Sequence, residues 1–101
     1  MKFNLKEALV AKGFTPIADP FGCAEPGQIV QKTFEREVET VWHGTAKDVL
    51  TVMVRFTSDY EAVTVKYFRH VNTPFKVKSH RSNKRAYNAI EDTIRLRGFA
   101  I

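Results

Sequence analysis

Between residues 62 and 90 the chain carries Lys66, Arg69, Lys76, Lys78, Arg81, Lys84 and Arg85 and not one Asp or Glu. Such a run attracts polyanions, and the commonest biological polyanion is a nucleic-acid backbone. The formal net charge is +5, so the remainder of the chain sums to −2 and the basic character belongs to this one segment.

The order of these residues sharpens the reading. Lys76, Lys78, Arg81, Lys84 and Arg85 lead into the start of a predicted helix. A helix N-terminus already carries about half a positive charge, so cations there destabilise by a few tenths of a kcal/mol each and an incoming anion relieves the clash. His80 adds a donor that becomes charged near neutral pH. Tyr67, Phe68, Phe75 and Tyr87 interleave the cations, and an exposed ring there can stack a base. The expected contact set is Lys66, Arg69, Lys76, Lys78, His80, Arg81, Lys84, Arg85 and Tyr87, gripping phosphates with weak sequence preference.

Other chemistry finds less support. His43, His70, His80 and Cys23 are the available acids, bases and nucleophiles, but their spacing matches no catalytic arrangement, and the chain is read as non-enzymatic. Cys23 is the lone cysteine, so no internal disulfide forms, and no Cys/His spacing suits zinc. Glu35, Glu37 and Glu39 line one face of a predicted strand, near Asp59 and Glu61 in sequence. With Lys66 five residues beyond Glu61, the acid-x-lysine spacing of a nuclease strand is missing, and the three glutamates read as a solvated face. No metal or cofactor is expected.

The elements that position these residues follow from periodicity. Asn4 and Glu7 have capping-box spacing ahead of the Leu5, Ala8, Leu9 stripe, giving a helix from Asn4 to Lys12 that Gly13 ends. The stretch from Thr15 to Gly27, with Pro16, Pro20, Pro26, Gly22 and Gly27, reads as a loop. From Gln28 to His43, Val30, Phe34, Val38 and Trp42 recur every fourth residue, which suits strand or helix; the Val, Thr and aromatic content selects a strand with Trp42 in the core. His43 to Asp48 reads as a turn, Val49 to Thr57 as the clearest strand, Ser58 to Glu61 as a hairpin loop, and Ala62 to Val71 as the returning strand with Tyr67 and Phe68 on opposite faces. Phe75 to Ser79 adds a short edge strand, and Ser82 caps a final helix that reaches Arg97 before Gly98. The fold class is α+β: an antiparallel sheet of three or four strands flanked by an N-terminal and a C-terminal helix, in a single domain spanning residues 1–101.

A helix, three antiparallel strands and a basic-capped helix is also the element order of double-stranded RNA-binding domains. Ser82-Asn83-Lys84-Arg85-Ala86-Tyr87-Asn88-Ala89 resembles the start of that family's last helix at Lys84, Ala86 and Ala89. Asn83 and Tyr87 stand where basic residues occur in the family, and Phe75 to His80 replaces its glycine-rich approach. The likeness is one of fold order.

At 101 residues, 44% hydrophobic and 27% charged, the chain can bury one core. No apolar run of signal-peptide or membrane-span length occurs, so a cytoplasmic protein without membrane contact is expected. The rival to nucleic acid is a protein partner, with the chain acting as an inhibitor or adaptor of the kind phages and mobile elements direct at host proteins. That reading predicts binding through an exposed aromatic such as Trp42, Tyr60 or Phe21.

Overall fold

The two helices end in the same way, and those ends show how the sequence closes its core. A computed structural model describes residues 3–17, 29–42, 44–56, 63–70 and 73–100. Helix α1 spans Leu5–Ala11, with the Asn4 side chain accepting from the Glu7 N–H. It stops at Gly13, whose φ of 95° favours glycine; Gly13 N–H donates to the Val10 carbonyl and Phe14 N–H to Leu9. Helix α2 spans Asn83–Leu96 and stops at Gly98, φ 79°, with Gly98 donating to Arg95 and Phe99 to Ile94. Both are Schellman closures, and in each the residue after the glycine, Phe14 or Phe99, is buried in the core.

Among the described residues, five strands form one antiparallel sheet in sequence order: β1 (Thr15–Ile17), β2 (Ile29–Glu39), β3 (Thr45–Phe56), β4 (Val63–Phe68) and β5 (Lys76–His80). The flanking helices and antiparallel sheet are the expected α+β arrangement, with one strand more. Period-2 alternation sends Val30 and Phe34 of β2, Leu50 to Phe56 of β3, and Val63, Val65 and Tyr67 of β4 to one face, where Leu5, Leu9, Ala86, Ile90 and Ile94 cover them. Each of the Val, Leu, Ile and Phe side chains among them stabilises the fold by roughly 1.5–3 kcal/mol on burial. Thr51, Met53, Thr64, Lys66 and Phe68 lie on the opposite face, which neither helix covers.

Several boundaries depart from expectation. Thr15–Ile17, read as loop, pairs with Ile29–Gln31 as a sheet edge, where Pro16 needs no outward N–H. The ambiguous stretch is a strand from Ile29 to Glu39. The strand expected from Val49 begins at Thr45, so Asp48 lies in a ladder and not in a turn. Trp42, read as core, is 89% exposed, with Val41 at 93%. The hairpin loop Ser58 to Glu61, together with Phe21, Cys23, His43, Asp59 and Tyr60, lies outside the described residues.

The β2–β3 ladder also outruns the sheet. β1 pairs with β2 only as far as Gln31, and β4 leaves β3 after the Thr51–Phe68 pair, whereas β2 and β3 continue from Glu35–Val49 to Glu39–Thr45. Those five pairs form a two-stranded arm about 17 Å long, tipped by Val41 and Trp42. The molecule accordingly measures 49 Å on its longest axis and 21 Å on its shortest.

Candidate nucleic-acid interface

β5 is the edge strand opposite β1, and its alternation sorts the cations. Lys76, Lys78 and His80 pair with Tyr67, Val65 and Val63 and therefore lie on the helix-covered side of the sheet. Lys78 is exposed, and Lys76 Nζ sits 5.5 Å from the Tyr67 ring centroid. Arg81 follows, exposed, and Ser82 caps α2, its Oγ accepting from the Arg85 N–H. With Ala86, Ile90 and Ile94 turned to the core, the 100° advance per residue puts Arg85 on the β5 flank of α2 and Lys84 on the α1 flank. At the other end of the edge, Arg97 stacks 4.4 Å above the half-exposed Phe75 ring, which packs against Tyr67.

The result is a strip along β5 and the adjoining flank of α2 holding Lys76, Lys78, Arg81 and Arg85, with Phe75 and Arg97 at one end. No carboxylate among the described residues lies within ion-pair distance of these four cations. The first turn of α2 contains no acid. His80 is half-buried, and its Nε2 has no hydrogen-bond partner among the described residues. Burial first, then the charges of Lys78 and Lys76, push its pKa below the ordinary value of 6.5.

The other expected contacts lie elsewhere. Lys66 pairs with Met53 and Val77 on the uncovered sheet face. Lys84 reaches over the Phe3 ring, 4.9 Å from its centroid. Tyr87 packs edge-on against Phe3 and is hydrogen-bonded to Glu91, which, with burial, raises its pKa; its ring belongs to the core margin. A count of charges along the sequence does not carry the sheet face of Lys66 or the helix flank of Lys84, and the spacing of the rings does not carry the packing of Tyr87 on Phe3.

Arg69 is tied into a cluster that sequence reasoning missed. Asp48 is 1% exposed. Its Oδ2 accepts from Arg36 Nε and Nη2 at 3.0 and 2.9 Å and from Arg69 Nη2 at 3.0 Å, while Oδ1 takes Arg69 Nε at 2.8 Å. His70 Nε2 lies 3.2 Å from Oδ1 and 3.3 Å from the Val49 N–H, in a residue held at φ 58°. Burial alone would raise the Asp48 pKa; hydrogen bonds from Arg69, Arg36 and His70 and the charge of Arg69 outweigh it and lower the carboxyl to about 2. The carboxylate is sealed by its own partners, and Arg36 is in turn roofed by Phe99 at 4.7 Å. This clamp fastens β2, β3 and the segment after β4 at the root of the arm.

No group of three or more His, Cys, Asp or Glu among the described residues is placed to hold a metal. The crease between α1 and α2, lined by Leu9, Phe14, Phe34, Ile90 and Ile94, has a volume of ≈ 10 Å³, room for about one water. Among the described residues, no helix is long and apolar enough to cross a membrane. No protein-family model, curated protein or solved structure matches this chain.

Proposed function

We propose that the β5–α2 strip is a nucleic-acid-binding surface, and that the chain is a non-enzymatic module engaging phosphates with little sequence preference. The observation that carries this reading is the set Lys76, Lys78, Arg81 and Arg85 on one edge without a carboxylate partner among the described residues. Cations kept unpaired beside a helix N-terminus repel one another and the helix dipole, and a row of phosphates removes both penalties. Phe75, braced by Arg97, offers one ring for stacking a base of a single strand.

Four phosphate contacts give log K a slope against log salt of about −2.8 for a single strand and −3.6 for a duplex, or roughly 50- to 150-fold weaker binding between about 50 and 200 mM salt. Fluorescence anisotropy with labelled single- and double-stranded DNA and RNA measures this. The double variant Lys78→Glu with Arg85→Glu loses binding to whichever nucleic acid the wild type holds, and Lys66→Glu on the opposite face keeps it. Absence of binding to all four at low salt refutes the reading.

A second reading, an inhibitor or adaptor that docks on a protein, is favoured by Trp42 at the arm tip, since large exposed aromatics are where interfaces concentrate their binding energy.

A further inference from the structure

Among the described residues, the exposed large apolar side chains gather mainly at two places. Val41 and Trp42 form the tip of the arm; Phe75 and Leu96 lie at the start of β5 and the end of α2. These two places carry opposite charge. The arm presents Glu35, Glu37 and Glu39 on one face, answered only at Glu35, where Lys47 Nζ approaches to 3.4 Å; Glu37 and Glu39 have no cation within ion-pair distance among the described residues. The β5–α2 edge presents Lys76, Lys78, Arg81 and Arg85, likewise unpaired there.

We propose that the arm of one copy of this chain lies along the β5–α2 strip of a second copy. Both surfaces are strands, so their charges repeat at the same interval of about 6.6–6.8 Å for every second residue. With Trp42 seated beside Phe75, Leu96 and Arg97, Glu39 and Glu37 run over Lys76 and Lys78, and Glu35 approaches Arg81 and Arg85. Trp42 gains an apolar floor and the Arg97 guanidinium. The arm cannot reach its own strip, because it continues the β2–β3 ladder and the Asp48 clamp fixes its root, whereas β5 lies two strands away from β3.

The arm is closed at its end by its own hydrogen bonds. Across its turn, Thr40 N–H and Oγ both donate to the Gly44 carbonyl at 2.8 and 3.0 Å, and Gly44 N–H donates to Thr40 Oγ at 3.3 Å. A finger ordered before contact loses little entropy on docking, which is what lets a small interface hold. Because each copy carries both surfaces, two copies can exchange arms reciprocally and close.

Sedimentation velocity on the purified chain, without nucleic acid, tests this over about 10 to 200 µM protein at about 50 and 500 mM salt. The wild type self-associates at the upper concentrations, more strongly at low salt, and Trp42→Ala weakens the association at least tenfold. An arm reversal, Glu37→Lys with Glu39→Lys, and a strip reversal, Lys76→Glu with Lys78→Glu, are each monomeric, and mixing the two restores a complex through the swapped charges. A wild type that stays monomeric throughout overturns the proposal, as does association that neither Trp42→Ala nor the reversals weaken. If a reversal variant misfolds by circular dichroism, Glu37→Gln with Glu39→Gln replaces it and must weaken association. Self-association and oligonucleotide binding are read in separate solutions, so either can fail while the other stands.

Discussion

Replacing Asp48 with Asn keeps the size of the side chain and removes its charge. The carboxyl lies at about 2 in the folded chain against 3.8 unperturbed, a difference that corresponds to about 2 kcal/mol of folding stability at neutral pH. Arg36 and Arg69 are 34% and 49% exposed, so water competes for their charges and the expected loss falls to about 1–2 kcal/mol. In a domain of this length that lowers the melting temperature by roughly 5–15 °C. The pH dependence separates this cause from a packing defect. A carboxyl with a depressed folded pKa stabilises fully above its unfolded value and loses that contribution as pH falls through 3.8 toward 2. The gap between wild type and Asp48→Asn therefore narrows below about pH 4. Urea unfolding followed by far-ultraviolet circular dichroism measures it; Trp42 fluorescence is a poor reporter because the indole is already in water. A gap below about 0.5 kcal/mol at pH 7, or one that does not narrow on acidification, refutes the clamp as an electrostatic device.

Gly98→Ala strains a residue at φ 79° and sets its Cβ against the end of the Arg36 guanidinium. The guanidinium must shift and the backbone carries the positive-φ strain, so a loss of about 1–3 kcal/mol in the same urea assay is expected. His80 has a folded pKa below 6.5, so the unfolded chain takes up its proton first and stability falls as pH drops from about 7 through 6.5; His80→Gln flattens that slope. Trp42→Ala, at an exposed tip, shifts unfolding free energy by less than about 0.5 kcal/mol, measured at concentrations where the chain is monomeric. In anisotropy, Tyr87→Phe binds oligonucleotide as the wild type does, because the Tyr87 ring is packed on Phe3.

What the sequence disclosed follows what burial demands. The strand ending at Phe56 shows clean alternation because one face must be apolar along Leu50, Val52, Val54 and Phe56, and α2 shows its stripe at Ala86, Ile90 and Ile94 for the same reason. The arm buries little, so nothing forces alternation on Thr45, Ala46 and Lys47, and a ladder there reads as a polar turn. Trp42 continues the every-fourth-residue pattern of Val30, Phe34 and Val38 past the point where the sheet ends, so periodicity assigned it a core that does not extend that far. Asp48 falls between these cases. Its burial depends on Arg36, directly across the ladder, and on Arg69, which comes from beyond the next strand, and a pattern read along the chain does not contain that contact. The cations obey the same logic. Lys66 alternates with the buried Val65 and Tyr67, so its place on the far face was available from parity alone, and Lys76 and Lys78 share the covered side only because β5 pairs in the register Tyr67–Lys76 and Val65–Lys78. A count of basic residues therefore overstates the surface. Of seven cations between residues 62 and 90, one is held by Asp48, one faces away across the sheet and one leans over Phe3, which leaves Lys76, Lys78, Arg81 and Arg85 as the charges that a polyanion or a second copy's acidic arm would meet.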